Sequence, residues 1–295
     1  MTTSRNPDQA VHERRIAGAC SEAEALMSRL GPFQAPIDPI AIAGTERRLL
    51  RLCPGDYKDA FDGRLEYLPR VGRFLCYYNT KYDRPDDPDH APRTRFSLAH
   101  ELGHFFIESH HAYLRAGGRP HSSKGEFLGS VTVEQQADAF AAHLLMPDRL
   151  FKPLANQGDP SVQIITTLAH TFHTSLLSTT RRVIECSDFY CAAVAVRDGR
   201  IGSFWRADSL IANGIYPGIK GPLRSTGARA AWVAFSAGNF TLPPTTGWAR
   251  DWFRIYRADL EKSLPVIESY LAIPVMGTLI VLLTVPEDEL WTDDE

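Results

Sequence analysis

Helical spacing opens the chain. Within residues 8–30, Ile16, Ala19, Cys20, Ala23, Leu26, Met27 and Leu30 recur at intervals of three and four, and Gly31 follows, a residue common just past a helix end. Three short apolar segments come next: ERRLLRLC (46–53), GRLEYLP (63–69) and GRFLCYYN (72–79). Each is bounded by Gly, Pro, Asp or Asn, so they read as strands of a small antiparallel sheet. Residues 81–92 are polar and proline-rich, a surface loop. The segment RFSLAHELGHFFIESHH then predicts a helix over about 94–108, and the glycine-rich stretch 110–130 reads as a mobile loop. In 132–145, Ala137, Phe140, Ala141, Leu144 and Leu145 form one core-facing helical stripe that Met146-Pro147 ends. Two shorter helical patterns, 161–172 and 175–185, follow in a helix-turn-helix-like order.

From Phe189 the period shifts to two. CAAVAVRDGRIGSFWR reads as strand, Asp198-Gly199 turn, strand. Segments 228–236 and 277–285 read as further strands, with a helix around 256–264 and an acidic tail over the last nine residues. The class is α+β. The expected organisation is a core over 1–150 built on a small sheet and the histidine-bearing helix, a helical extension over 151–187, and a β-rich region over 188–295.

Composition narrows the function classes. A net charge of −3 gives no overall pull toward nucleic acid or anionic membrane. No apolar run approaches the ~20 residues that span a bilayer, and the N-terminus lacks the apolar core of a secretory signal. Cys20, Cys53, Cys76, Cys186 and Cys191 are odd in number and form no CxxC pair, which fits reduced thiols and a cytoplasmic location.

The chemistry concentrates in His100-Glu101-Leu102-Gly103-His104. On a helix, positions i and i+4 share a face, so both imidazoles can reach one ion. Glu101 lies about 100° round the helix from His100, beside the pair, where a general base belongs. The competing reading is a surface helix that happens to carry two histidines. Glu134 stands thirty residues beyond His104 at the start of the second helix, and Asp138 is one turn further on the same face. A glutamate completes a His-His-Glu set with a fourth position left open, as catalytic zinc requires. Asp138 is then placed to accept the spare N–H of a ligand histidine. The plainer readings are a helix N-terminal charge for Glu134 and a solvent-facing acid for Asp138. His110, His111, Tyr113 and His121 are candidates for contact with the transition state, each more simply read as a surface residue.

These motifs resemble the ImmA/IrrE family of zinc metallopeptidases. The resemblance rests on APIDPIAIAG (35–44), FDGRLEYLP (61–69), RTRFSLAHELGH (93–104), EQQADAFAAHLLMP (134–147) and LAHTFHTSLLSTTRRV (168–183), and covers roughly residues 10–200. It implies a zincin-like peptidase core, His100, His104 and Glu134 as ligands of Zn2+ (with Mn2+ also accepted by such a set), and Glu101 as catalytic base. It further implies a cytosolic endopeptidase that cleaves a helix-turn-helix transcriptional repressor in a stress or mobile-element response. Two departures stand out: Gln136, where relatives often carry a second acid, and Asp138, where they often carry Asn. The alternative is a non-proteolytic regulatory or DNA-binding protein whose metal site is structural. The thin charge of 161–185, Arg181 and Arg182 beside Glu185, disfavours direct DNA contact.

Overall fold

The structure is a computed structural model that describes residues 7–86, 89–119, 122–123, 132–218, 220–257, 260 and 263–290. Two compact units divide the chain: residues 1–150 with 170–175, and residues 151–169 with 176–295. No helix among the described residues is long and apolar enough to cross a membrane.

The first unit begins with α1 (Pro7–Leu30) and α2 (Pro39–Gly44), the latter started by Asp38, whose carboxylate accepts the Ile40 N–H at 2.8 Å. Then come β1 (Leu50–Gly55), β2 (Gly63–Leu68) and β3 (Arg73–Asn79), followed by α3 (Pro92–Phe106), α4 (Glu108–Arg115), β4 (Ser122–Ser123) and α5 (Thr132–Leu145). The sheet order is β1-β3-β2-β4. It is mixed, not antiparallel as expected: β2 pairs antiparallel with both β3 and β4, whereas β1 runs parallel to β3. Residue periodicity reports which face of a strand is buried, and it carries no information on strand direction. The ERRL start of the first segment is a turn, and residues 110–115, expected in a loop, form most of α4.

α3 is the centre of this unit. Pro92 occupies its first turn, where a missing N–H costs nothing, and it is buried nearly all round from Thr94 to Phe105. Leu98, Leu102 and Phe105 join Leu65, Phe74, Phe140 and Leu144 in one core. Burying each such side chain stabilises the unit by about 1.5–3 kcal/mol. The helix ends because Ile107 turns extended (φ −67°, ψ 113°), and α4 starts at the next residue.

Next in the chain are α6 (Asp148–Ala155), α7 (Val162–Phe172) and α8 (Leu176–Glu185). The second unit's sheet is built from β5 (Cys191–Arg197) and β6 (Arg200–Arg206), then, past α9 (Asp208–Ala212) and β7 (Ile215–Pro217), from β8 (Gly221–Pro222). α10 (Thr226–Ser236), β9 (Thr245–Trp248), β10 (Phe253–Ile255), β11 (Pro265–Ile273) and β12 (Thr278–Thr284) complete the chain. Six strands pair antiparallel in the order β8-β6-β5-β12-β11-β9, and β7 pairs with β10. Asp198 and Gly199 both adopt positive φ (50° and 68°), the turn that joins β5 to β6 as their sequence predicts. Segment 228–236, expected as a strand, is α10: Ser225 caps it by accepting the Ala228 N–H, and Ala228, Ala231 and Phe235 lie buried at helical spacing. The helix expected at 256–264 does not form at 256–257 or 263–264; parts of it, like the end of the acidic tail, fall outside the described residues.

Candidate metal centre

The site is set by how closely α3 and α5 cross. Gly103 faces Ala137: a Cβ added to the glycine would stand 3.1 Å from the Ala137 Cα and 3.3 Å from the Phe140 Cβ. Two small residues at the crossing let the helix backbones approach, and His100 and His104 of α3 meet Glu134 and Asp138 of α5.

The His100 and His104 Nε2 atoms lie 3.2 Å apart. His100 Nε2 is 3.1 Å from Glu134 Oε2, and His104 Nε2 is 3.6 Å from Glu134 Oε1. Both histidines are buried, and each of the three residues offers a donor atom within 4.8 Å of the others. Behind them, His100 Nδ1 donates to Asp138 Oδ1 at 2.8 Å. His104 Nδ1 meets His110 Nδ1 at 3.2 Å, and His110 Nε2 meets Gln136 Oε1 at 3.4 Å. The Gln136 amide in turn donates to the Arg15 carbonyl at 3.4 Å. Read from the far end, this chain has a consistent direction. Gln136 Oε1 accepts from His110 Nε2, so His110 Nδ1 accepts from His104 Nδ1, and the His104 Nε2 lone pair faces Glu134.

Electrostatics separate the two imidazoles. Burial works against a charge on His100, but the carboxylates of Asp138 and Glu134 outweigh it and raise its pKa to about 10. His104 is dominated by burial, which lowers its pKa to about 4 despite Glu134. Burial would raise Glu134, yet its interactions with the two imidazoles, first the hydrogen bond to His100, hold it well below the usual carboxylate range.

Glu101 is fully buried and lies against β2 at Gly63, where a Cβ would fall 2.5 Å from its Oε1. Periodicity points to neither Gly63 nor the His110–Gln136 chain as part of the site. The first takes part because it lacks a side chain, the second because the break at Ile107 turns α4 back toward His104. Of the other residues singled out in the sequence, Tyr113 and His110 line a cavity of about 520 Å3 together with His104, Val133 and Gln136. His111 is not brought there: its Nδ1 meets the Phe105 carbonyl at 2.8 Å and its ring packs on Phe74. His121 lies outside the described residues.

A mixed α+β unit with paired imidazoles and a carboxylate at one helix crossing defines the kind of protein to which the comparisons point. Residues 86–183 match the family model of the IrrE N-terminal-like domain, a peptidase family, so this stretch of the chain carries that domain. Among solved structures, a Mycobacterium tuberculosis transcriptional regulator has a similar fold, with a TM-score of 0.51 at 15% identity, covering 93% of this chain and 78% of that one. No curated protein matches the sequence.

Proposed function

We propose that the chain is a zinc-dependent endopeptidase with a zincin-like core, in which His100, His104 and Glu134 hold the metal and Glu101 is the general base. The observation that carries this reading is the donor cluster. The two Nε2 atoms 3.2 Å apart, with Glu134 Oε2 at 3.1 Å from one and Oε1 at 3.6 Å from the other, lie near the roughly 3.3–3.4 Å expected between ligands of a tetrahedral ion with bonds of ~2.0–2.1 Å. Two imidazoles and one carboxylate also leave a coordination position open. Mn2+ suits the same donors.

A zinc ion held there supplies Lewis acidity, polarising the scissile carbonyl and lowering the pKa of water toward ~7. The rest falls to the chain's own residues. Glu101, dry and next to His100, takes the proton of the attacking water on its carboxylate and returns it to the leaving amine. Asp138 holds the His100 ring by its Nδ1, and the His110–Gln136 chain does the same for His104. The cavity beside His104, bordered by Tyr113, Leu114 and Val133, gives an adjacent substrate side chain an apolar seat.

The resemblance to the ImmA/IrrE family supports a substrate of the helix-turn-helix repressor class and a role in a stress or mobile-element response. The description of the fold neighbour as a transcriptional regulator agrees with a regulatory role. Five free cysteines favour the cytoplasm. DNA binding by α7 and α8 is disfavoured, because Arg182 is buried over the Phe151 ring and Arg181 is held by Glu185 at 2.6 Å. The test is incubation of the zinc-loaded protein with the repressor encoded beside its gene, with and without chelator, alongside Glu101→Gln. Cleavage that survives either treatment would overturn the reading.

A further inference from the structure

Arginines in the second unit are mostly spoken for. Arg206 pairs with Asp208, Arg181 with Glu185, Arg197 donates to Thr278, and Arg257 to the Leu290 carbonyl. Three others meet at one cavity. Arg224, Arg250 and Arg254 converge on a concavity of about 410 Å3 whose remaining lining is Gly218, Phe253, Ile255 and Tyr256. No acidic side chain is among these lining residues, and neither Arg224 nor Arg254 makes an ion pair among the described residues. The three come from the loop before α10, the turn before β10, and β10 itself, so the fold assembles them from separate places. Composition does not explain the gathering, since the chain as a whole is acidic, at −3. Arg224 and Arg254 are exposed at this concavity and can offer their charge to an anion bound there.

Two further observations describe what sits beside the charges. The Arg254 stem lies directly over Gly218, where an added Cβ would overlap its Cγ and come within 2.9 Å of its Cδ. A bare backbone position is therefore what lets this arginine lie along the cavity wall. Of the exposed aromatics, Tyr256 lines the cavity, is 73% exposed and meets Tyr216 edge-on at 5.4 Å, while Arg250 stacks over the exposed Trp248 ring at 5.0 Å. Guanidinium groups bind phosphate oxygens in bidentate fashion. Exposed aromatic faces beside them stack planar rings. The volume lies within the ~300–1,000 Å3 of small-molecule sites.

We propose that this cavity binds a nucleoside phosphate, with the phosphates on Arg224, Arg250 and Arg254 and the base against Tyr256. A single-stranded nucleic acid shares that chemistry, but a concavity of about 410 Å3 matches one nucleotide. The site lies within the second unit and is independent of the metal centre.

The test is equilibrium titration of the full-length protein with ATP, GTP, AMP and inorganic phosphate, together with a twelve-base oligothymidylate. Arg254→Ala, Arg224→Ala and Gly218→Ala are compared with the control Arg206→Ala, and thermal melting checks that each variant is folded. The expected result is saturable binding of a nucleotide, weakened roughly tenfold or more by either arginine variant. Gly218→Ala weakens it with every arginine still present, and Arg206→Ala leaves it unchanged. Three outcomes overturn the proposal: no saturable binding of any nucleotide up to about 1 mM; binding indifferent to Arg224 and Arg254 in folded variants; or an oligonucleotide that binds more tightly than every mononucleotide through the same arginines.

Discussion

Among the described residues, each of the two compact units hides one glutamate from solvent completely, Glu101 in the first and Glu268 in the second. Their surroundings differ in kind. Glu268 collects hydroxyl and indole donors: Tyr270 OH at 2.7 Å, Ser225 Oγ at 2.8 Å and Trp252 Nε1 at 2.9 Å. Ser225 also caps α10, so the carboxylate ties a helix start to β11 and to the buried indole. Glu101 instead lies beside a histidine cluster, against a glycine and near a buried thiol: burial first, then the Glu101 charge, pushes the Cys76 pKa well up. A carboxylate ringed by fixed donors serves as an anchor. One set beside a site that can accept and return protons serves chemistry. Burial alone does not distinguish the two; the neighbours do.

The sharpest way to break this contrast is to remove charge without removing shape. Glu101→Gln should lower peptidase turnover by at least ~100-fold, with bound zinc and the unfolding midpoint essentially unchanged; a loss of zinc by metal analysis would show that Glu101 is a structural member of the site. Glu268→Ala should do the reverse. It strands three buried donors and should destabilise the second unit by about 3 kcal/mol, read by urea unfolding, while zinc content and cleavage persist.

A smaller effect is expected at Gly63. The Gly63→Ala methyl displaces the Glu101 carboxylate, and a misplaced base should cost roughly tenfold or more in kcat with little change in KM. Equal activity in steady-state assays would mean that Glu101 has freedom the packing denies it.

The mildest test concerns thiols. Burial pushes Cys191 up to about 12 and Cys76 well above the ordinary range, so both should resist iodoacetamide at pH 8 in the folded protein, while the half-buried Cys20 and Cys53 react. A thiol whose pKa is raised on folding contributes no pH dependence below its unfolded value of ~8.5. Its burial then lowers stability as pH climbs toward 12. Alkaline unfolding followed by Trp fluorescence should therefore set in above about pH 9 and not earlier.

The same pair of glutamates explains what the sequence made legible. The motif around Glu101 sits on a helix whose apolar positions repeat at the helical period, and the stripe Ala137, Phe140, Ala141, Leu144 and Leu145 is buried as that period predicts. Local spacing places His100, His104, Glu134 and Asp138 on two helix faces, and the structure brings these faces together. β11 escaped because Glu268 occupies a core-facing position between Val266 and Tyr270, so a buried strand looks polar in sequence. α10 reads as a strand in sequence because its alanines and aromatics suit either period, and the Ser225 cap decides for the helix. The parallel course of β1 and the arginine cavity both depend on residues far apart in the chain, which local patterns do not record.

Gly103 carries a last consequence. Because nothing but a hydrogen occupies its side-chain position over Ala137, α3 and α5 approach closely, and that approach sets the spacing of the donor groups they carry. Inserting a methyl with Gly103→Ala should wedge the helices apart by a few tenths of an ångström and stretch the distances to Glu134. The expected readout is a shift in ion preference, with zinc losing ground to the larger manganese in competition binding. On the proposed reading, the smallest residue in the motif sets the spacing available to the ion.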